Sequence, residues 1–328
     1  MNPFSRIILQ WYSENARDLP WRRTRDPYAV WLSEIILQQT RIVQGTAYWH
    51  RFMERFPTVQ DLAEASEDEV LRLWEGLGYY SRARNLHTAA RQIVADGSFP
   101  DTLEGIRKLK GVGDYTAAAI GSICFGIQAA VVDGNVYRFL ARYFGISTPV
   151  GTTEAKKEFT RLANQLLPAD SPAQFNQGMM DFGALQCTPQ NPACLTCPLQ
   201  ATCNAFRTGR VEMLPVKKPA VQVQERRFSY VYVRFNGQTA IRKRGPGDIW
   251  QGLYEPVVIE SEGASADAKL IRKGVKHQLT HRTLLTDFYL WEPDVRPELP
   301  DGYIWIKETE LDSYAKPRLF ELLLEALP

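Results

Sequence analysis

The chain has 328 residues, 45% hydrophobic and 23% charged, with 39 Lys and Arg against 37 Asp and Glu for a formal net charge of +2. That length exceeds one typical domain and supplies apolar material for real cores, so two or three packed units are expected. No run approaches the roughly 20 apolar residues of a membrane span. The opening Met1-Asn2-Pro3-Phe4-Ser5-Arg6 lacks the plan of a signal peptide, so a cytosolic or nucleoid address is expected, with no membrane partner. The near-neutral balance permits nucleic-acid binding through local charge without arguing for it.

Residues 1–206 read as helix after helix. Val30–Leu37 is densely apolar with helical spacing, and Ser66-x-x-Glu69 is a capping box leading into Val70–Trp74, closed by Gly76 and Gly78. Thr102–Leu109, Tyr115–Ile123, Val136–Phe144 and Thr153–Leu167 continue the pattern, the last with Pro168 just beyond it. Val211–Gln224, with Pro215, Pro219 and paired lysines, has linker composition. From Phe228 the chain turns strand-like: Phe228–Phe235 runs into Asn236-Gly237, a hairpin signal. Thr283–Trp291 and Tyr303–Ile306 read as further strands, and Arg318–Leu327 as a closing helix. The expected architecture is an all-α domain over 1–209, a linker over 210–226, and a smaller α+β domain over 227–328.

Two segments carry the chemistry. Leu109-Lys110-Gly111-Val112-Gly113-Asp114-Tyr115 joins two helices through glycines that permit a tight turn, and the second helix offers free N–H groups that suit a phosphate oxygen. By itself this is equally an ordinary helix–helix turn. Some twenty residues on, Val131-Val132-Asp133-Gly134-Asn135 places an Asp at a helix start, where an N-cap is the ordinary reading. Together the two resemble the helix–hairpin–helix DNA glycosylases, in which the hairpin clamps the DNA backbone and the Asp faces the sugar of an extruded nucleotide. Pro20-Trp21-Arg22, Ser33-Glu34-Ile35-Ile36-Leu37-Gln38-Gln39-Thr40 and Gly76-Leu77-Gly78-Tyr79-Tyr80-Ser81-Arg82-Ala83 narrow the resemblance to adenine DNA glycosylases of the MutY type.

The resemblance implies base removal from duplex DNA, and the chemistry constrains who does what. Adenine leaves poorly until protonated, and its departure puts cationic charge on the sugar, so one carboxyl must donate a proton while another stays ionised. Glu34, with Val30, Trp31 and Leu37 as helical neighbours, suits the acid, because an apolar wall raises a carboxyl pKa. Asp133 suits the anion, because helix-start N–H groups favour the charged form. Where endonuclease III and other strand-nicking relatives carry a Schiff-base Lys, this chain has Tyr115, so hydrolysis without strong lyase action is expected. By the same resemblance Gln39, Leu77 and Tyr79 fill the gap and pack beside the lesion pair. Trp21, Arg22, Thr40, Asn135 and Gln177 line the adenine pocket, contact DNA or support the Asp, and Gly111 and Gly113 contact the backbone.

Cys187, Cys194, Cys197 and Cys203 pack four thiols into 17 residues, while Cys124 stands alone. Four-Cys sites most often hold zinc. Only one CxxC is present, however, and the 6-2-5 spacing is similar to the [4Fe–4S] loop of this glycosylase family. Trp250-Gln251-Gly252-Leu253-Tyr254-Glu255-Pro256 resembles a segment of the family's C-terminal nudix-like domain, without the Glu-rich metal box of a working pyrophosphatase. In the family this domain recognises 8-oxoguanine through a Phe-Ser-His loop; here Leu279-Thr280-His281 keeps a hydroxyl and the His but loses the aromatic. Two further departures are Lys110 where the hairpin often has Pro, and Asp114 beside an expected phosphate contact. The implied partner is duplex DNA containing A:8-oxoguanine or A:G, bound by a monomer. A competing enzyme reading is an endonuclease III-like pyrimidine glycosylase with lyase activity, against which Tyr115 and the C-terminal domain argue. A non-catalytic iron–sulfur DNA sensor is a third, against which Glu34 and Asp133 argue.

Overall fold

The computed structural model describes residues 2–218, 224–260 and 267–328. The chain divides into two compact units, Met1–Ala63 with Thr88–Pro219, and Glu64–His87 with Ala220–Pro328. The segment 64–87, expected within the all-α domain, thus groups with the C-terminal residues.

The helices are α1 (Pro3–Asn15), α2 (Pro27–Ile36), α3 (Ile42–Arg55), α4 (Val59–Glu64), α5 (Glu67–Leu73), α6 (Ser81–Ala95), α7 (Leu103–Lys108), α8 (Asp114–Phe125), α9 (Gly134–Phe144), α10 (Thr153–Leu166), α11 (Pro172–Asp181), α12 (Asn204–Arg207) and α13 (Arg318–Ala326). Their starts follow the sequence closely. Asn2, Asp26, Ser66, Thr102, Asp133 and Thr152 each accept a backbone N–H with the side chain as an N-cap. In the first unit Phe4 and Ile8 of α1 pack with Phe139 and Leu140 of α9, Phe159 of α10 and Phe175 and Met179 of α11 into one buried core. Burial of side chains this large drives the fold, each contributing about 1.5–3 kcal/mol.

The hairpin between α7 and α8 forms as expected, with a different use of its glycines. Gly111 takes φ +79°, the left-handed region that favours glycine. Gly113 is extended, at φ −94° and ψ −179°, and a Cβ there would meet nothing within 4 Å. Only the first glycine is required by the turn. Gly111→Ala is therefore expected to cost roughly 1–2 kcal/mol. Gly113→Ala should stay within about 0.5 kcal/mol in the same chemical-denaturation series.

The expected linker is anchored where it is described. Leu214 is buried, its carbonyl accepts from Arg142 Nε at 2.9 Å, and Val150 N donates to Val216 O at 2.8 Å. Pro-rich composition marks an extended segment, and as far as it is described this one runs against the first unit. Pro219 lies outside the described residues.

In the second unit the strands are β1 (Gln224–Phe235), β2 (Gln238–Lys243), β3 (Tyr254–Glu255), β4 (Val257–Ile259), β5 (Lys269–Gln278), β6 (Arg282–Trp291) and β7 (Tyr303–Lys307). They form one mixed sheet in the order β3-β2-β1-β6-β5, with β4 also pairing β1 and β7 pairing β2. Only β1 and β6 run parallel among these pairs, from Gln224↔Arg282 to Val233↔Trp291. Asn236 (φ +48°) and Gly237 (φ +71°) make the tight β1–β2 turn that their sequence announced. On β6, Leu284, Thr286, Phe288 and Leu290 alternate inward, and with Tyr230 of β1 and Leu319, Phe320 and Leu323 of α13 they build this unit's core. β5 escaped the sequence reading because its residues are mostly exposed, Lys269, Arg272, Lys273 and Lys276 among them, so no apolar alternation marks it.

Candidate active site

A cleft of about 420 Å³ in the first unit gathers Trp21, Arg22, Glu34, Gln39, Thr40, Tyr115, Asp133, Asn135 and Gln177. These come from α2, α8, α9 with its capping residue, α11, the single helical turn Pro20–Arg22 and the turn that follows α2, and all nine were singled out from sequence. Gly111 and Gly113 line a second cleft, of about 810 Å³, which shares Tyr115 and Gln38 with the first.

Glu34 sits near the C-terminal end of α2, whose every residue from Tyr28 to Ile36 is buried. The side chain is 9% exposed, and burial pushes its carboxyl up to about 7. A hydrogen bond from the Tyr115 hydroxyl and the charge of Arg22 pull the other way, while Asp133 adds to the rise. Tyr115 opens the helix that follows the hairpin, and its hydroxyl also approaches Met180 Sδ at 3.5 Å. Burial raises that hydroxyl well above 10, so it keeps its proton.

Asp133 caps α9. Its carboxylate accepts from Val136 N at 2.8 Å and Asn135 Nδ2 at 2.7 Å. These donors favour the ionised form as expected, but burial outweighs them and the net shift is upward from 3.8. Asn135 is held in turn: Arg138 donates to its Oδ1 at 2.9 Å, and to Gly183 O and Cys187 O at 2.6 and 2.8 Å. A continuous hydrogen-bonded chain therefore runs from Asp133 to the first cysteine of the loop.

The four cysteines line one small apolar cavity with Phe139, Phe182 and Arg142, and Arg142 Nη1 lies 3.5 Å from Cys187 Sγ. All are free thiols, as is Cys124. Among the described residues no group of three or more His, Cys, Asp and Glu is drawn together closely enough to hold a metal ion.

At the hairpin, Asp114 is not left facing the surface uncompensated. It pairs with Arg107 at 2.9 Å and Lys156 at 2.6 Å, so the basic character of the hairpin surroundings survives its presence.

Four candidates lie in the second unit instead. Leu77 is 8% exposed, turned inward, whereas Tyr79 is 49% exposed at φ +47°. Gln39, exposed in the first unit, is likewise at φ +60°. Non-glycine residues in that region are strained, and such strain clusters at functional sites. Thr280 and His281 sit exposed in the turn between β5 and β6, and the Tyr79 hydroxyl hydrogen-bonds to Thr280 Oγ1. Leu279 packs partly buried against the core.

Sequence reasoning missed the layer behind the cleft. Asp181 at the end of α11 is fully buried and binds both nitrogens of the Arg22 fork, Nη1 to Oδ2 at 2.6 Å and Nη2 to Oδ1 at 2.9 Å, and also Arg17. Tyr12 of α1 reaches Gln177. No local motif announces these residues; only the packing of α1 on α11 brings them together.

Comparison with known proteins agrees with this geometry. Residues 32–167 match the family described as HhH-GPD superfamily base excision DNA repair protein, and residues 229–326 match the NUDIX domain family. The adenine DNA glycosylase of Buchnera aphidicola subsp. Schizaphis graminum is 37% identical over 76% of this chain and 73% of its own length. That of Homo sapiens is 45% identical over 64% of this chain, a match spanning 41% of the longer human protein. Among solved structures, a thermostable thymine-DNA glycosylase superposes with a TM-score of 0.59 at 33% identity, over 62% of this chain and 95% of its own. A trapped endonuclease III–DNA covalent intermediate, at 22% identity and a TM-score of 0.55 over 62% of this chain and 94% of its own, shows the same fold. Helical unit, hairpin and nudix-like unit together make this chain a member of the adenine DNA glycosylase family of helix–hairpin–helix base-excision repair enzymes.

Proposed function

We propose that this protein binds duplex DNA as a monomer in the cytoplasm or nucleoid, extrudes an adenine lying opposite 8-oxoguanine or G, and removes it by hydrolysis. The observation that carries the reading is the pair of buried carboxyls in one cleft, Glu34 pushed up to about 7 and Asp133 held by helix-start donors.

Glu34 in its acid form donates a proton to the flipped adenine. The base then leaves with the electron pair of the glycosidic bond. Cationic charge develops on the sugar, and ionised Asp133 stabilises or traps it. Water completes the substitution after giving its proton to the Glu34 carboxylate, which restores the acid. Tyr115 steadies Glu34 by hydrogen bonding and supplies no amine, so no Schiff base forms there. Gly111, Gly113 and the N-terminus of α8 would hold a backbone phosphate, a role that the dipole and first-turn N–H groups support. Trp21, Arg22, Thr40, Asn135 and Gln177 would shape the adenine pocket, Gln39 would fill the gap in the opened stack, and Tyr79 and Leu77 would act beside the lesion pair. Thr280 and His281 would read the opposite 8-oxoguanine, a reading supported by their exposure on one turn beside Tyr79.

Cys187, Cys194, Cys197 and Cys203 would hold a [4Fe–4S] cluster, a reading supported by their 6-2-5 spacing and by all four lining one apolar cavity. Its part is structural: bond cleavage here involves no electron transfer, and the loop it shapes is tied through Arg138 to Asn135 and Asp133.

Excision measured side by side on A:8-oxoguanine, A:G and A:C duplexes tests the reading. The expected order places A:8-oxoguanine first, with strand breaks only after alkali. Equal rates on all three would sink the lesion assignment. Tyr115→Lys is expected to introduce nicking without alkali and a borohydride-trapped adduct; neither appearing would contradict the placement of residue 115 beside the sugar.

A further inference from the structure

Gln177 lines the cleft from α11, and behind it stands Tyr12 on the last turns of α1. The Tyr12 hydroxyl donates to Gln177 Oε1 at 2.5 Å. Its ring lies under the guanidinium of Arg22, 5.8 Å from the centroid, and burial raises its pKa, so the hydroxyl keeps its proton and remains a donor.

An amide side chain has two ends of similar shape and opposite polarity. A Gln that reads adenine through paired contacts accepts from the exocyclic amine and donates to the neighbouring ring nitrogen. Turned over, it sets donor against donor and acceptor against acceptor, and its N–H end suits the carbonyl of a 6-oxopurine instead. Which way Gln177 faces therefore decides which purine the cleft favours.

The protein groups around it favour one orientation. If the amide turned over, its N–H would occupy the Tyr12 oxygen and the Tyr12 proton would need another acceptor. The nearest carboxylate, Asp181 one turn along α11, already receives five N–H donors: Arg17 N, Nε and Nη2, and Arg22 Nη1 and Nη2. A carboxylate has about four lone-pair sites, so this one is full.

We propose that Tyr12 is a specificity-determining positioning residue: its hydroxyl fixes the Gln177 amide so that the cleft accepts the amino edge of adenine and disfavours 6-oxopurines. The assignment rests on the adenine-excision reading given above and adds to it a residue outside the cleft lining.

Tyr12→Phe keeps the ring and removes only the hydroxyl. Single-turnover excision of adenine and of hypoxanthine, each opposite 8-oxoguanine, is compared with the unaltered protein alongside melting temperatures. The adenine-to-hypoxanthine rate ratio is expected to fall about 5- to 10-fold, the size of one hydrogen bond. In a Gln177→Leu background, where no amide remains to be oriented, Tyr12→Phe is expected to leave the ratio unchanged. A ratio unchanged in the single variant, or two rates falling in parallel with the melting temperature, would overturn the assignment while leaving adenine excision intact. Unaltered protein that removes neither base would overturn the function reading and this assignment with it.

Discussion

Glu34→Gln is expected to lose adenine excision by roughly 10²–10⁴-fold or more while making the protein more stable at neutral and alkaline pH. The two effects share a cause. The cleft holds Glu34 out of water, and this shifts its carboxyl from an ordinary 4.5 to about 7. Below pH 4.5 the folded and unfolded chains both carry this proton, and no penalty exists. As pH rises the unfolded chain ionises first, so folding stability falls, and the loss is complete above about 7. A shift of this size corresponds to on the order of 3 kcal/mol. Gln has the same shape and no charge to desolvate, so chemical denaturation at pH 8 should show the variant more stable by up to that amount, with the gap narrowing toward pH 5. An equal gap at both pH values would mean that burial of charge is not what raises Glu34.

Asp181→Asn is expected to act in the opposite direction, destabilising by roughly 3–5 kcal/mol at neutral pH. Burial alone pushes Asp181 up, yet the Arg22 and Arg17 hydrogen bonds outweigh it and hold the carboxyl below its ordinary 3.8. With the carboxylate gone, Arg22 keeps its charge at 11% side-chain exposure with no counter-ion of comparable closeness among the described residues, and an amide cannot accept five donors. A carboxyl depressed in the folded state stabilises above its unfolded pKa and loses that contribution as pH falls toward the folded one. The difference between the two proteins in thermal melts should therefore persist from pH 8 to 5 and shrink below pH 4. A melting temperature unchanged at pH 7 would show that the two arginines are satisfied by other groups.

These two residues also show what was legible in the sequence. Glu34 and Asp133 could be found because each sits inside a short string whose neighbours carry its physics: an apolar helix around one, a helix start around the other. The same holds for Gly111, where a left-handed turn needs glycine, and for Asn236-Gly237, where a two-residue hairpin does. Asp181, Arg17 and Tyr12 carry no such local mark. Their roles arise from α1 lying against α11, about 160 residues apart in the chain. The anchoring of Leu214 and Val216 was hidden for the same reason, since an extended Pro-rich segment reads alike whether it hangs free or packs. At Asp133 the donors were visible in sequence, whereas the burial that outweighs them was not.

The most direct test of the two-carboxyl account is the pH dependence of kcat/KM for adenine removal opposite 8-oxoguanine, which reports groups in the free enzyme. The account predicts a bell. Activity declines above about pH 7 as Glu34 loses the proton it must donate, and declines in acid as Asp133 is neutralised above its ordinary 3.8. The alkaline limb disappears in Glu34→Gln, whose residual rate is flat there. A wild-type profile flat from pH 5 to 9, or a Glu34→Gln variant of near-normal rate, would contradict it.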